Sequence, residues 1–254
     1  MNEAEFITAP GLSARHGFFT RRGGVSQGPY ASLNCALAGQ DARDAVLENR
    51  ARAARVLGAE PANLVGLTQV HGIEVVRVVT PWLPGAGPRA DAAVTDRAGI
   101  AIGIVTADCA PVLFADATAG VVGGAHAGWR GAVAGVLEAT LVAMEALGAR
   151  RERITSAVGP CIGQASYEVA ADLRDAVLAQ DAVAARFFVA GVRPDRWRFD
   201  LAGYCARRLD DAGVAQVVVM GLDTLAAEER FFSHRRRTLA GGGAIGHQMS
   251  VITL

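Results

Sequence analysis

The stretch IAIGIVTADCAPVLFADATAGVVGGAHAGWRG, residues 100–131, indicates the fold class of this chain. It contains apolar runs of strand length at 100–105, 112–115 and 121–125, and only short turns separate them. Consecutive strands without intervening helices pair as neighbours, whereas a doubly wound sheet alternates strands with helices. The stretch therefore favours an α+β layered domain.

The flanking sequence extends this pattern with further strands and with amphipathic helices. Apolar runs predict strands at 65–70, 74–79, 92–95, 154–158, 216–220 and 249–253. Apolar residues at spacings of three and four predict helices at 41–57, 132–147, 170–180 and 201–211. The Pro- and Gly-rich segment 81–89 has strand patterns on both sides, so we expect a surface loop there rather than a linker. The pattern predicts one domain over residues 1–254.

Composition and charge limit the classes of function. The chain has no formal net charge, which argues against electrostatic binding of nucleic acid or of an anionic membrane. No apolar run approaches the roughly 20 residues of a membrane helix, and the N-terminal sequence lacks the pattern of a secretory signal. The four cysteines include no CxxC pair, which indicates free thiols in a reducing cytoplasm. We expect a cytoplasmic protein with a small-molecule substrate, while the sequence leaves the oligomeric state open.

All 25 basic residues are arginine, because the chain contains no lysine. Schiff-base chemistry, pyridoxal phosphate anchoring and a lysine-bearing P-loop are therefore excluded. An anionic group must be held by arginine, by a helix N-terminus or by a metal ion. Arg50 lies within reach of the apolar stripe of the first predicted helix, where an arginine is costly unless it is paired or binds something.

Three segments place rare residue types where predicted strands end. These are TQVHG with His71, TADCAPV with Asp108 and Cys109, and GGAHAGWRG with His126. Functional side chains are often located on loops at strand ends. Two histidines and a cysteine suit zinc and leave a fourth position for water, whose pKa the ion lowers to near 7. Their spacing matches no short zinc motif, so buried histidines and a buried thiol are the alternative from spacing alone.

The same atoms also allow a metal-free chemistry. Cys109 can act as a thiolate nucleophile activated by His126 or His71, with Asp108 or another group orienting the base, as in an amidase-like or acyl-transfer enzyme. The segment from Gly128 opens a predicted helix. The free backbone N–H groups at this helix start, reinforced by Arg130, suit phosphate or carboxylate. A helix that merely packs with a glycine at its cap is the competing interpretation.

Together these segments resemble one known family. The segments TQVHG, ADAAVT, TADCAPVLFAD, GAHAGWRG, VGPCIG followed by SYEV, and FFSHRRR are similar, in the same order, to those of the YfiH family. Members of that family have been named multicopper polyphenol oxidases, laccase-domain proteins, purine nucleoside phosphorylases and peptidoglycan editing factors. The similarity begins with HGFFTRRGGVS near residue 16 and extends over almost the whole chain.

The resemblance implies an αββα-type layered fold of the YfiH or cysteine hydrolase-like type. It implies that His71, Cys109 and His126 bind one zinc ion per chain, with copper the less favoured ion, and that Asn34 and Arg50 line the same pocket. It also implies phosphorolysis of adenosine, inosine or methylthioadenosine, and deamination of adenosine. Hydrolytic, amidase-like editing of a peptidoglycan precursor at the same metal or cysteine is the alternative.

The names within the family can be weighed against this sequence. A laccase mechanism needs many imidazoles to hold several coppers, whereas this chain has five histidines and no His-X-His pair. The usual Thr-Gly-Arg before the last strand is also missing, since Gly246 and His247 stand at that place, and the usual Cys-Thr is Asp223 and Thr224. If the missing arginine holds phosphate in the family, either the affinity for phosphate is lower here or Arg50 and Arg130 provide it, which weakens phosphorolysis as the specific reaction more than it weakens the metal site.

A mechanistic hypothesis follows from these implications. Arg50 and Arg130, together with the helix end at Gly128, position phosphate below the ribose, and Asp108 is the proton shuttle nearest to Cys109 in the sequence.

Overall fold

The computed structural model describes residues 3–254. The strands are β1 (Phe6–Ile7), β2 (Arg15–Phe19), β3 (Leu64–Gly66), β4 (Val75–Arg77), β5 (Ala92–Thr95), β6 (Ala101–Thr106), β7 (Ala110–Asp116), β8 (Val121–Ala127), β9 (Thr155–Val158), β10 (Glu168–Val169), β11 (Phe188–Ala190), β12 (Trp197–Phe199), β13 (Gln216–Val219) and β14 (Gln248–Thr253). The α-helices are α1 (Arg43–Val56), α2 (Trp129–Ala134), α3 (Val136–Glu145), α4 (Ala171–Gln180), α5 (Leu201–Asp211) and α6 (His234–Leu239).

Two large sheets and one small sheet contain these strands. The first sheet has the order β1-β2-β14-β6-β3, the second β13-β9-β7-β8-β5-β4, and the small sheet β10-β12-β11. Neighbours are antiparallel except in the pairs β3–β6, β4–β5 and β9–β13, which are parallel. β7 and β8 form the expected antiparallel pair, whereas β6 and β7, although consecutive, belong to different sheets. The chain therefore crosses from one sheet to the other between β6 and β7.

The two large sheets lie face to face between helices, which gives the layer order α, β, β, α. Met249 and Val251 on the first sheet pack with residues of α1. Ile104 of the first sheet and Leu113 of the second belong to the core between the sheets. Phe114, the next residue along β7, packs with α3 and α5 on the outer side of the second sheet. Side chains alternate across each strand, and they enter a core both between the sheets and beneath the helices, so both faces of each large sheet are buried. The predicted α+β, αββα class is confirmed.

Most predicted elements lie within a few residues of their observed bounds, but the helix predicted over 132–147 is wrong as a single element. Gly135 has a φ of 106°, in the left-handed region, and separates α2 from α3. The strand predicted over 65–70 ends at Gly66, because the side-chain amide of Gln69 then bonds both the N–H and the C=O of Val105. The chain thus leaves the sheet early and turns towards the second sheet.

Within residues 3–254, no helix is both long enough and apolar enough to cross a membrane. The four cysteines are free thiols; Cys109 is partly exposed, and the others are buried. Burial raises the pKa of Cys161 well above its ordinary value, so this thiol packs in the core and is not ionised.

Candidate metal centre

The candidate site lies at the end of the sandwich where the chain passes between the sheets. β6 ends at Thr106 and β7 begins at Ala110, so Asp108 and Cys109 lie in the crossing itself. β8 is antiparallel to both β5 and β7, and its end at Ala127 is adjacent to the starts of those strands. The topology therefore gathers several strand ends in one place, where polar side chains need not interrupt the core.

His71, Cys109 and His126 come together at this place. Their ligand atoms all lie within 4.8 Å of one another. Sγ of Cys109 is 3.8 Å from Nε2 of His71, and the two imidazole centroids are 4.7 Å apart. His126 is buried, Cys109 is partly exposed and His71 is exposed. The group is therefore shielded by protein on the side of His126 and open to solvent on the side of His71. Two imidazole nitrogens and a thiolate at these separations are a donor set that would suit a transition metal ion such as zinc.

The buried carboxylate of Asp91 organises two of the three residues. Its Oδ1 accepts a hydrogen bond of 2.8 Å from Nδ1 of His126 and one of 2.9 Å from the backbone N–H of His71. Oδ2 accepts from the backbone N–H of Gly72 at 2.7 Å, and Val70 N donates to the same carboxylate. Because Nδ1 of His126 is engaged, its Nε2 is left to face Cys109, which is the arrangement that a carboxylate behind a ligating histidine produces.

Charge within the group favours an ionised thiol. Burial alone would raise the pKa of Cys109, but hydrogen bonds and positive charge from His126 and His71 lower it to about 6. Burial opposes protonation of His126, but bonds to Asp91 and to the Cys109 thiolate raise its pKa to about 9. Burial likewise opposes ionisation of Asp91, but the bonds from His126 and from backbone N–H groups hold its pKa below the usual value. Without a metal ion, Cys109 and His126 form a pair of thiolate and imidazolium. Binding of a metal ion would displace the proton that the two side chains share.

The glycine that precedes α2 gives the group its space. A Cβ on Gly128 would lie 2.8 Å from Cδ2 of His71 and 3.1 Å from Sγ of Cys109. Its φ of −67° is accessible to any residue, so the reason for glycine here is close approach rather than backbone conformation. The donor types, the bond from Asp91 and this open space all fit a bound transition metal.

A cavity of about 690 Å³ opens in front of the group and reaches across both sheets. This volume is within the range of small-molecule sites. Three arginines line it, Arg43, Arg50 and Arg235, whereas Asp108 is the one carboxylate found in its wall within residues 3–254. The cavity therefore favours ligands that carry negative charge.

Arg50 on α1 lines the part of the cavity that lies against the first sheet. The side chain is 5% exposed, and its Nη1 donates to the carbonyl of Cys35 at 3.2 Å. Its Nη2 is buried and has no hydrogen-bond partner among residues 3–254. Burial lowers the pKa of Arg50, although a guanidinium still keeps its charge at neutral pH.

Two of the predicted binding residues have other positions. Asn34 does not line the cavity; its side-chain N–H donates to Asp41, and its Oδ1 accepts from the backbone N–H of His247 at 2.9 Å. Arg130 is exposed outside the cavity lining, and its guanidinium stacks on the Trp129 ring. Asn34 therefore supports the wall that contains His247, and Arg130 lies at the surface.

Asp108 occupies the wall of the cavity with its carboxylate bonded on both oxygens. Oδ1 accepts from Thr224 Oγ1 at 2.6 Å, and Oδ2 accepts from Ser233 Oγ at 3.0 Å and from the backbone N–H of Arg235 at 2.6 Å. These bonds attach the start of α6 to the crossing between the sheets. Any proton-transfer role of Asp108 must therefore act through this network.

Two residues of the site were not singled out as site residues from the sequence, namely Asp91 and His247. Asp91 is the second residue of the motif ADAAVT and immediately precedes β5, and an acidic residue just before a buried strand is a signal that could have indicated it. His247 lies immediately before β14, and its side chain lines the cavity. Its place where the family's usual arginine stands is the sequence signal for it, and the pairing of β14 with β6 brings it to the site.

This layered fold with a cysteine and two histidines at a sheet crossing defines a class, which comparison with known proteins identifies. Residues 15–254 match the family model described as multi-copper polyphenol oxidoreductase laccase, and the chain belongs to this family. A Deinococcus radiodurans protein named purine nucleoside phosphorylase is 42% identical, over 98% of this chain and 92% of its own. The Escherichia coli protein named purine nucleoside phosphorylase YfiH is 39% identical, over 87% of this chain and 88% of its own.

Solved structures show the same architecture. A Neisseria meningitidis protein of 35% identity superposes with a TM-score of 0.86 over 99% of this chain and 97% of its own. YlmD from Geobacillus stearothermophilus, at 32% identity, also superposes with a TM-score of 0.86, over 100% of this chain and 97% of its own. The family assignment made from the motifs is confirmed, and with it the fold.

Proposed function

We propose that this protein is a zinc-dependent purine nucleoside phosphorylase that cleaves adenosine, inosine and methylthioadenosine and also deaminates adenosine. The observation that supports it most directly is the group of His71, Cys109 and His126 at the wall of an arginine-lined cavity. Relatives that share about two fifths of the sequence over nearly the whole chain are named purine nucleoside phosphorylases. A cytoplasmic location remains part of this proposal.

The three residues would hold one zinc ion, with copper the alternative ion. When bound, the metal lowers the pKa of a coordinated water, so that a nucleophile is present at neutral pH. Asp91 keeps His126 in the tautomer that presents Nε2, and the backbone N–H groups of His71 and Gly72 fix the carboxylate of Asp91 in turn. The site is thereby organised before any ligand enters.

The remaining residues of the cavity would position the substrate. Trp129, Ile162 and Tyr167 supply apolar or aromatic surface beside the metal residues, which suits the flat purine. Asp108 would relay a proton at the crossing, through its bonds to Thr224 and Ser233. Arg50, with its unpartnered Nη2, would hold an oxyanion, whereas Arg130 and Asn34 would support the walls.

Hydrolytic editing of a peptidoglycan precursor is the second candidate, and one observation favours it. The lowered pKa of Cys109, about 6, is the property of a cysteine nucleophile paired with histidine. A nucleotide-sugar precursor is much larger than a nucleoside, and the cavity volume of about 690 Å³ fits the smaller ligand better. The nucleoside therefore remains the preferred substrate.

The test measures zinc content and turnover of purine nucleosides, with and without phosphate, for the wild type and for Cys109→Ala. We expect about one zinc per chain in the wild type, and loss of both metal and turnover, by at least about 100-fold, in the variant. Deamination of adenosine must continue without phosphate, whereas cleavage of inosine must require it. Activity that persists after the metal has been removed would instead assign Cys109 as the nucleophile.

Val192→Ala is a suitable control, because this side chain is 77% exposed and lies outside the cavity lining. It should keep the zinc content and the turnover of the wild type. A zinc-loaded wild type that turns over no nucleoside would contradict the proposal and direct the search to cell-wall precursors.

A further inference from the structure

His247 and Arg50 share the outer face of the first sheet, the face that α1 covers. The register pairs Met249 with Val105, and Gly66 with Gly103, so these four positions lie on one face. His247 is two residues before Met249, and the alternation of the strand places it on the same face. Arg50 reaches this face from α1, where its Nη2 would lie 2.9 Å from a Cβ on Gly66.

One peptide segment connects the two residues directly. The carbonyl of Cys35 accepts the bond from Nη1 of Arg50 at 3.2 Å, and the N–H of the same residue donates to the carbonyl of His247 at 3.0 Å. Asn34, the preceding residue, accepts from the N–H of His247. Arg50 and His247 are therefore held at a fixed separation in the part of the cavity against the first sheet, whereas Cys109 and His126 belong to the part against the second.

Both residues have buried nitrogen atoms without partners. Nη2 of Arg50 and Nδ1 of His247 make no hydrogen bond within residues 3–254. A buried polar group left unpaired costs about 1–3 kcal/mol, so two of them in one cavity wall indicate a ligand that satisfies them. Within residues 3–254, Asp108 is the one carboxylate in the cavity wall, and its oxygens already accept other hydrogen bonds. The part of the cavity that contains Arg50 therefore carries positive charge. The missing partner is therefore an oxyanion.

We propose that Arg50 and His247 form an oxyanion subsite that binds the phosphate co-substrate, and that His247 determines the affinity for phosphate. The inference rests on the proposed nucleoside phosphorylase activity and assigns its two reactions to two ends of one cavity. Deamination takes place at C6 of the purine, and phosphorolysis at C1′ of the ribose, on the opposite side of the base. The metal residues face the first position when the Arg50–His247 subsite faces the second.

The phosphorolytic step balances with hydrogen phosphate as the co-reactant. A phosphate oxygen forms a bond to C1′ while the bond from C1′ to N9 breaks, and its electron pair leaves with the purine. The proton of hydrogen phosphate ends on the purine, so the products are ribose 1-phosphate and the neutral base. Arg50 and a donated N–H of His247 hold the phosphate oxygens that do not react.

The experiment compares His247→Phe, His247→Arg and the control Val192→Ala. Val192 is 77% exposed and lies outside the cavity lining. Turnover of inosine is measured against phosphate concentration, and binding of inorganic phosphate to the zinc-loaded protein is measured by calorimetry without nucleoside. Zinc content and the thermal midpoint show whether each variant is folded.

For His247→Phe we expect the KM for phosphate to rise about tenfold or more, since a hydrogen bond to a charged ligand is lost. The KM for inosine and the phosphate-independent deamination of adenosine should change less than about twofold. His247→Arg should lower the KM for phosphate, because it adds a positive charge, and Val192→Ala should leave this KM unchanged.

The outcomes separate the subsite from the proposed function. If the wild type cleaves inosine with phosphate and His247→Phe does so with an unchanged KM, the subsite is wrong and the phosphorylase assignment stands. If the wild type binds phosphate, the variant does not, and no nucleoside is turned over, the subsite stands and the phosphorylase assignment is wrong. A wild type that neither binds phosphate nor cleaves inosine contradicts both.

Discussion

Asp91 is the residue on which the geometry of the candidate metal centre depends most. Its side chain is fully buried, and its two oxygens accept from one imidazole and from three consecutive backbone N–H groups. The carboxylate therefore fixes a loop and a strand residue at the same time. His71, in that loop, has a φ of 62°, an uncommon conformation for a residue with a side chain. The bonds to Asp91 compensate the cost of this conformation.

The lowered pKa of His247 predicts that the stability of the protein depends on pH. Burial, together with the positive charges of His234 and Arg237, lowers the pKa of His247 from 6.5 to about 4. The unfolded chain thus binds a proton at His247 more readily than the folded chain does, and stability falls as the pH falls from about 6.5 towards 4. Above pH 6.5 the contribution is fully present. His247→Gln should lose about 1–2 kcal/mol less than the wild type between pH 7 and pH 5.

Urea unfolding at the two pH values measures this difference. The lowered pKa of His16 affects both proteins equally and cancels in the comparison. An equal loss of stability in the wild type and in His247→Gln would show that His247 titrates normally in the folded protein.

Gly135 explains why the helix predicted over 132–147 is two helices, α2 and α3. A residue other than glycine at a φ of 106° is strained, although a Cβ here would meet nothing closer than 3.5 Å. We expect Gly135→Ala to lower the free energy of unfolding by at least about 1 kcal/mol, as conformational strain alone. Gly135→Asn should lose less, because asparagine tolerates left-handed conformations better.

Chemical denaturation of the zinc-loaded proteins measures both variants. A more stable Gly135→Ala protein would mean that α2 and α3 can join into the continuous helix that the apolar spacing predicts.

Periodicity predicts the elements that have one dominant buried face. β5 and α5 have their predicted bounds, since β5 is buried throughout and α5 buries one stripe that contains Leu201, Tyr204 and Leu209. The strands β1, β2 and β10 to β12 were not predicted, because several are only two or three residues long and present polar side chains such as Glu168 and Arg198. β2 in addition pairs with β14, at the far end of the chain, which no local pattern indicates.

The site residues likewise include some that a local sequence signal indicates and others that it does not. Rare residue types at strand ends indicated His71, Cys109 and His126, because this signal is local to each segment. Asp91 and His247 act through backbone geometry and through sheet register, so a local pattern can mark their positions but only the fold shows which groups they contact. Asn34 and Arg130 came from the family resemblance and from a helix opening, and neither feature determines which way a side chain points.

At the scale of the whole molecule, the layered fold places chemistry where the two sheets are joined. The metal residues come from the loop between β3 and β4, from the crossing between β6 and β7, and from the end of β8. Arg50 and His247 come from α1 and from the start of β14, on the opposite side of the first sheet. The cavity thus lies between parts of the chain that only the completed fold brings together, and its ligands must stabilise the fold as a whole.

Removal of the metal should therefore lower global stability. A ligand that binds only the folded state adds RT ln(1 + [L]/Kd), about 2.7 kcal/mol at a free zinc concentration 100 times the Kd. The wild type in a zinc buffer at that ratio should unfold at a higher urea concentration than the same protein after chelation, whereas Cys109→Ala should show no difference between the two conditions. If chelation removes the zinc and leaves the unfolding midpoint of the wild type unchanged, the unfolded chain binds zinc as tightly as the folded chain does, and the ion does not stabilise the fold. In that case the geometry of the site depends on Asp91 and its hydrogen bonds alone.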